Sequence, residues 1–300
     1  MVFICGKFSE GTKHSITNTI VNNYSSHQHD NIQFSFPRPC IVPIGPKHVI
    51  DLRTPGKEES SVIVSFYQCD VHNFKDFYFG QRLKSQKNDY KLAKQYLIYT
   101  LHLFQTLYFD IIRTKQCLGY NVYSRVVVFE GILGLGYYIQ SNNNPPAFLS
   151  EKIEDFLVSH IDKVFEVLTD EQLDSMCDLL NSKALCKVLN YPAYNKTLNE
   201  LILTNGKVFN QLEVSELADK RIKINKDLLH EFVCNFFKEK RKLIEIHVTA
   251  ANHEKRQLEG LAKIKDSSQV FNFAHIAKNS FELQSSLFGK FMDSWNKTYK

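Results

Sequence analysis

Long apolar segments are missing from this sequence of 300 residues. No apolar run approaches the roughly 20 residues that a bilayer-spanning helix needs. The first five residues form too short an apolar stretch for a secretory signal, and no basic leader precedes them. We therefore expect a cytoplasmic protein with no membrane segment.

Two further absences narrow the possible functions. The seven cysteines are odd in number and never spaced as C-x-x-C, which argues against a disulfide framework and against a cysteine zinc cage. The net charge of +5 is mild and spread along the chain, so no basic stripe marks a nucleic-acid surface. The hypothesis of a nucleic-acid-binding protein depends on this net charge alone, and it ranks lowest among the possible functions.

The composition is sufficient for a sizeable hydrophobic core. Apolar residues make up 43% of the chain, and a chain of this length forms one large or two smaller units. Residues 1–28 read as one strand, at 2–8, and one helix that follows Ser9. Residues 29–46 contain four prolines close together, at positions 37, 39, 43 and 46. Proline at that density prevents a helix, so we interpret residues 29–46 as a linker.

Residues 47–250 alternate between strand and helix patterns. Strands are predicted at 49–52, 62–69, 120–129, 132–141 and 243–249; helices are predicted at about 97–113, 148–168, 170–185, 194–209, 214–219 and after Asn225. This order predicts an α+β sandwich, in which helices pack on one face of an antiparallel-rich sheet. We interpret residues 73–90 as a surface insertion, and residues 251–300 as a charged C-terminal tail.

The junction between the long helix and the hairpin combines a guanidinium with a phenol. Arg113 lies in the predicted last helical turn, and Tyr120 opens the next strand. Gly119 is expected to turn the chain out of the helix at positive φ. On pattern alone, Arg113 would simply offset the helix dipole and Tyr120 would simply pack.

Three short sequences at and around this junction resemble a known family. They are RTKQCLGY at 113–120, preceded by Phe109; GLGYYIQS at 134–141; and YQCD at 67–70. Together they resemble the last homologous domain of the insulinase (pitrilysin) family of zinc metallopeptidases. Gln116 and Cys117 stand where the family has a Glu-Gln pair, so the sequence departs from the family beside Arg113 and Tyr120 but not at them.

The resemblance implies a domain organisation and a site. Residues 1–28 would be the terminal strand and helix of an incomplete third family domain, and residues 47–250 would be the fourth. Arg113 and Tyr120 would bind the carbonyl and transition-state oxygens of a peptide substrate. Phe109 would line the adjoining side-chain pocket.

Zinc ligands of the family type are absent from the sequence. The family binds zinc with H-x-x-E-H, which does not occur here. The nearest sequences begin at His230 and His253, and neither has a second histidine at ligand spacing. His247 is expected to face the sheet surface. We therefore expect no metal site or cofactor on this chain, and we expect the zinc in an N-terminal half.

The resulting hypothesis is a C-terminal, substrate-binding half of a zinc metalloendopeptidase that is inactive alone. Its partners would be a peptide substrate and the zinc-bearing N-terminal half, joined upstream or present as a separate chain. A truncated gene model, a split enzyme and a stand-alone remnant all stay open as origins. The alternative is a non-catalytic structural or interaction subunit of the same fold.

Overall fold

A computed structural model describes residues 9–25, 41–53, 58–71, 73–80, 82–83, 89–129, 132–185, 224–253 and 268–272. The chain divides into two compact units, one of Met1–Cys40 with Asn181–Asp219 and one of Ile41–Leu180 with Lys220–Lys300. Helix α1 (Glu10–Ser25) belongs to the first unit. The predicted strand at 2–8, most of the linker and the helices at 194–209 and 214–219 lie outside the described residues.

The second unit is built on a six-stranded sheet within the described part of the chain. Its strands are β1 (Lys47–Arg53), β2 (Ser61–Cys69), β3 (Asn121–Phe129), β4 (Ile132–Ser141), β5 (Leu243–Thr249) and β6 (Ser268–Asn272), in the spatial order β3-β4-β2-β5-β1-β6. The pairs β3–β4, β4–β2 and β2–β5 are antiparallel, and β1 pairs in parallel with β5 and β6. β3 lies at one edge of the sheet, and its hairpin with β4 carries the sequence that follows Tyr120.

Five helices complete the described fold after α1. They are α2 (Phe74–Phe79), α3 (Asp89–Phe109), α4 (Pro146–Val167), α5 (Asp170–Leu185) and α6 (Lys226–Cys234). The π-helical segments Asp110–Lys115 and Asn235–Glu239 continue α3 and α6. None of the described helices combines the length and apolar content that crossing a bilayer requires.

The core lies on one face of the sheet. Along β2 and β4, alternate residues are buried, as period-2 side-chain geometry requires; they include Ile63, Tyr67, Leu133, Leu135, Tyr137 and Ile139. They pack against buried residues of α3, α4 and α6 such as Phe104, Phe156 and Phe232. The predicted α+β sandwich, with an antiparallel-rich sheet and helices on one face, is confirmed.

Two sequence interpretations are wrong in their details. Residues 73–90 are not simply a surface insertion, because α2 buries Phe74, Tyr78 and Phe79 in the core. The polar residues of this segment masked an apolar face that contacts Tyr96 and Phe232. The predicted tail contains β6, which forms the outer strand beside β1.

A cluster of polar side chains is buried where α4 crosses β1, β2 and β5. We call Lys47, Ser65, Ser150, Glu245 and His247 the buried charge cluster. The Glu245 carboxylate accepts hydrogen bonds from Ser65 at 3.0 Å, from Ser150 at 2.8 Å and from the His247 ring at 3.0 Å. Lys47 Nζ donates to Ser150 Oγ at 2.7 Å and lies 3.7 Å from Glu245.

The position of His247 corrects the expectation that it faces the sheet surface. Its side chain is fully buried, because it lies on the same face of β5 as Leu243 and Glu245. The hydrogen bond to Glu245 satisfies a polar group that would otherwise be costly to bury. Polarity alone therefore gave the wrong face for this strand.

Candidate functional site

The helix-to-hairpin corner, residues 109–120, is held by buried side chains on both sides. Helix α3 ends at Phe109, and the wider π-helical segment Asp110–Lys115 continues it. Ile111, Ile112 and Leu118 are buried and fix the corner to the core. The Asn144 side chain donates to the Leu118 carbonyl at 3.4 Å. The residues between these anchors, Arg113 to Cys117, are exposed.

Cys117, and not Gly119, turns the chain out of the helix. Cys117 has φ of 52°, in the left-handed region, whereas Gly119 does not have positive φ. The following Leu118 N–H donates to the Ile112 carbonyl at 3.0 Å, which closes the helix end. A left-handed residue followed by a buried apolar one is the usual arrangement at a helix C-terminus, but glycine normally occupies the position that Cys117 takes here.

Gly119 is needed for a different reason, which is close approach to β4. A Cβ atom at Gly119 would lie 2.4 Å from the backbone oxygen of Gln140 and 2.7 Å from a methyl group of Ile139. The same Gln140 oxygen accepts the Tyr120 N–H at 3.1 Å. This contact fixes the backbone of Tyr120 against the hairpin, so the corner presents Tyr120 from a rigid support.

The structure brings Arg113 and Phe109 together at the surface. The Arg113 guanidinium carbon lies 4.9 Å from the centre of the Phe109 ring, which is within cation–π range. Arg113 is exposed and the Phe109 side chain is 39% exposed. The stacked ring restricts the guanidinium, while its N–H donors remain available to an incoming oxygen atom.

Tyr120 is 55% exposed and opens a group of tyrosines on the hairpin. Tyr123 and Tyr138 stack with their ring centres 4.6 Å apart. Burial raises the pKa of Tyr138, and the neighbouring phenols of Tyr123 and Tyr120 raise it further. Within the described residues, no hydrogen bond joins Tyr120 to Arg113 or Phe109. All three predicted site residues are therefore accessible, but only Arg113 and Phe109 are in contact.

Tyr123 and Tyr138 are neighbours of the site that were not predicted from the sequence. The register of the β3–β4 hairpin places Tyr123 opposite Tyr138. The sequence contains this signal, because only two residues separate the two predicted strands. Cross-strand aromatic pairs stabilise a hairpin, and this pair extends an aromatic surface from Tyr120. The corner offers hydrogen-bond donors and aromatic faces, which suits it to binding a polypeptide backbone.

One group of metal-ligand side chains occurs within the described residues, away from the corner. Asp162, His230 and Cys234 place one ligand atom each within 4.8 Å of one another. No metal site is expected from the sequence, because His230 has no second histidine at ligand spacing. Cys234, one helical turn later, was not among the candidate ligands.

Comparison with known sequences supports the resemblance. Residues 99–193 match the family described as "PQQ synthase PqqF-like, C-terminal lobe domain 4". Human insulin-degrading enzyme is 29% identical over 149 residues, which cover 47% of this chain and 14% of that protein. Human nardilysin is 28% identical over 167 residues, which cover 53% of this chain and 14% of nardilysin. This chain therefore corresponds to a small part of these relatives.

Solved structures share the fold. The crystal structure of pitrilysin superposes with a TM-score of 0.60 at 14% identity, covering 89% of this chain and 26% of pitrilysin. A protease from Helicobacter pylori gives a TM-score of 0.50 at 10% identity, covering 81% of this chain and 53% of that protein. The matched family model, the relatives and the shared fold together support the resemblance of this chain to the C-terminal portion of the insulinase (pitrilysin) family.

Proposed function

We propose that this chain is the substrate-binding half of an insulinase-type zinc metalloendopeptidase. In this proposal Arg113 and Tyr120 bind carbonyl and transition-state oxygens of a peptide substrate, and Phe109 lines the adjoining side-chain pocket. The observation that carries the proposal is the exposure of Arg113 and Tyr120 on the rigid corner. Side chains with only a packing role would be buried there.

The chemistry of the corner supports this role. The guanidinium carries a permanent positive charge, and the Tyr120 hydroxyl is a neutral donor. Donors fixed before the reaction stabilise an oxyanion without reorganisation, and the loss of one costs about 3 kcal/mol in comparable sites. The residues concerned all lie within 99–193, the stretch that matches the family.

The zinc of such an enzyme would belong to an N-terminal half. This chain has no H-x-x-E-H sequence, so its residues do not fit the family's catalytic zinc. The half that carries it would lie upstream in the same polypeptide or on a separate chain, and we propose that this chain is inactive without it. A cytoplasmic location fits the four described cysteines, all of which are free.

Reconstitution tests the proposal. The chain is combined with the H-x-x-E-H-bearing half encoded in the same genome, and cleavage of an unfolded fluorogenic peptide is measured. We expect turnover only from the combination. Arg113→Ala should lower kcat/KM by about a hundredfold or more without loss of assembly, which gel filtration checks.

Arg125→Ala is the matched control. Arg125 is also exposed and lies on β3, but it is outside the corner, so turnover should change little. If Arg113→Ala assembles and cleaves like the wild type, Arg113 has no role in substrate binding. If the combined halves assemble but have no activity on any peptide, the alternative of a non-catalytic structural subunit is favoured.

A further inference from the structure

We propose that Asp162, His230 and Cys234 form a binding site for a zinc-like divalent metal ion that joins α4 to α6. This metal site is separate from the proposed substrate site, since neither α4 nor α6 carries Arg113 or Tyr120. It also stands independently of the proposed peptidase function.

The backbone places the three ligands together. His230 and Cys234 are four residues apart on α6, which puts their side chains on the same face one turn apart. Asp162 lies on the facing helix α4, and its Oδ1 atom is 3.1 Å from His230 Nε2. All three ligand atoms lie within 4.8 Å of one another.

The surroundings hold this arrangement in place. The Phe165 ring packs on the His230 imidazole with ring centres 4.6 Å apart. The Lys226 amine donates to the Leu168 carbonyl at 2.5 Å, which ties the start of α6 to the end of α4. The Asn225 side chain caps α6 by accepting two backbone N–H groups. A ligand set on two such helices needs little reorganisation to bind an ion.

The ligand types select a particular class of metal. A thiolate, an imidazole and a carboxylate are all ordinary zinc ligands, and three of them leave a fourth position for water. Sulfur and nitrogen ligands disfavour Mg²⁺ and Ca²⁺. Zinc bond lengths separate tetrahedral ligand atoms by roughly 3.3–3.8 Å. The three ligand atoms lie within 4.8 Å of one another, so each pair has to close by on the order of an ångström at most. Rotation of the exposed Asp162 side chain provides such a movement.

Lys238 is the competing partner of Asp162. Its Nζ atom lies 3.5 Å from Asp162 Oδ2, so the carboxylate is shared between His230 and a cation. Metal binding would displace the Lys238 ammonium, which sits on a flexible and partly exposed side chain. This competition distinguishes a metal site from a simple ion-pair cluster, because removing Lys238 would then strengthen metal binding.

The test uses the full chain, reduced and freed of metal by a chelator. Co²⁺ is titrated as a spectroscopic substitute for Zn²⁺, and Zn²⁺ is then used to displace it. We expect one Co²⁺ per chain, with a thiolate charge-transfer band and the visible absorption of a tetrahedral site. Such ions bind the thiolate form of cysteine, so binding near neutral pH should also release a proton.

Variants of the site and matched controls decide the outcome. Cys234→Ser should remove the charge-transfer band and weaken metal binding by about a hundredfold or more. Mutation of a residue that only hydrogen-bonds to a metal ligand already lowers metal affinity by about 10–100-fold. His230→Gln should weaken binding similarly, and Lys238→Met should strengthen it. Cys117→Ser and His160→Gln change a cysteine and a histidine outside the site, and they should bind like the wild type.

Several results would overturn the metal site. These are no saturable binding of either ion, a charge-transfer band that survives in Cys234→Ser, or equal loss in the two control variants. Far-UV circular dichroism of each variant shows that it is folded. Because all three ligands are partly exposed, the substitutions are not expected to unfold the chain.

Discussion

The buried charge cluster and the helix-to-hairpin corner lie on the same sheet and use polar side chains in opposite ways. In the cluster, Glu245 is fully buried and accepts hydrogen bonds from three side chains. At the corner, Arg113 and Tyr120 are exposed, and their donors have no partner of comparable strength among the described residues. Charge alone therefore does not mark a binding site in this protein. A polar group that the fold satisfies stabilises structure, whereas one that the fold supports but leaves accessible is available to a ligand.

The largest effect is expected from removing the anion of the cluster. Glu245→Ala would remove the fully buried carboxylate that lies 3.7 Å from Lys47 Nζ and would leave Lys47 with the partly exposed Glu154, at 3.3 Å. It would also remove the acceptor of the Ser65 and Ser150 hydroxyls. Breaking a buried ion pair from one side costs about 3–5 kcal/mol, which urea unfolding would measure. Asp155→Ala, at an exposed pair with Lys152, is the control and should stay within about 0.5 kcal/mol. Equal effects of the two substitutions would contradict a structural role for the cluster.

The same cluster should make stability depend on pH. Burial raises the pKa of Glu245, but the hydrogen bond from His247 and the charge of Lys47 outweigh burial and lower it from 4.5 to about 2. The contribution of Glu245 is therefore complete above pH 4.5 and is lost as the pH falls toward about 2. It amounts to about 3 kcal/mol.

Unfolding measured across this pH range checks the sign. The difference in free energy of unfolding between the wild type and Glu245→Gln should shrink as the pH falls from 4.5 to 2. A difference that stays constant with pH would show that Glu245 is not held ionised by its neighbours.

Gly119→Ala should disturb the corner by a smaller amount. The new methyl group would overlap the Gln140 backbone oxygen, which belongs to β4 and cannot move without bending the strand. Overpacking of this kind costs about 1–3 kcal/mol in the free energy of unfolding. Gly11→Ala is the control, because a Cβ there meets nothing within 4 Å. A Gly119→Ala variant as stable as the wild type would contradict the close approach of Gly119 to the Gln140 backbone oxygen.

The smallest effect concerns the left-handed residue of the corner. Cys117→Gly should raise the free energy of unfolding by about 1 kcal/mol, because glycine adopts φ of 52° without the penalty that a Cβ atom imposes. Cys117→Ala keeps the Cβ atom and should change stability little. Thermal unfolding of both variants measures the difference. A loss of stability in Cys117→Gly would contradict backbone strain at Cys117.

The sequence predicted the elements that depend on local pattern. The apolar repeat of α3, the two strands of the hairpin and the strand that contains Ile63 and Tyr67 all follow from periodicity. Arg113 lies in the last helical turn and Tyr120 directly precedes β3, close to the positions that the pattern predicts. Their role in substrate binding stays a prediction, which comes from the family resemblance and which periodicity cannot provide.

The sequence did not predict features that depend on distant contacts. His247 reads as a surface residue, because the Glu245 carboxylate that it contacts is buried through Ser65 and Ser150, which lie far away along the chain. Strand β6 pairs in parallel with β1, and no local pattern indicates such a partner. Propensity predicts positive φ at Gly119. In the structure Gly119 is instead required by its close approach to Gln140, and Cys117 is the residue with positive φ.

The most direct test of peptide binding at the corner is removal of the Tyr120 hydroxyl oxygen. Tyr120→Phe keeps the ring and its packing and deletes only the proposed hydrogen-bond donor. In the reconstituted enzyme, kcat for an unfolded peptide should fall by about a hundredfold, while assembly and the free energy of unfolding stay at their wild-type values. A kcat equal to that of the wild type would contradict the claim that the corner binds the reacting backbone of a peptide.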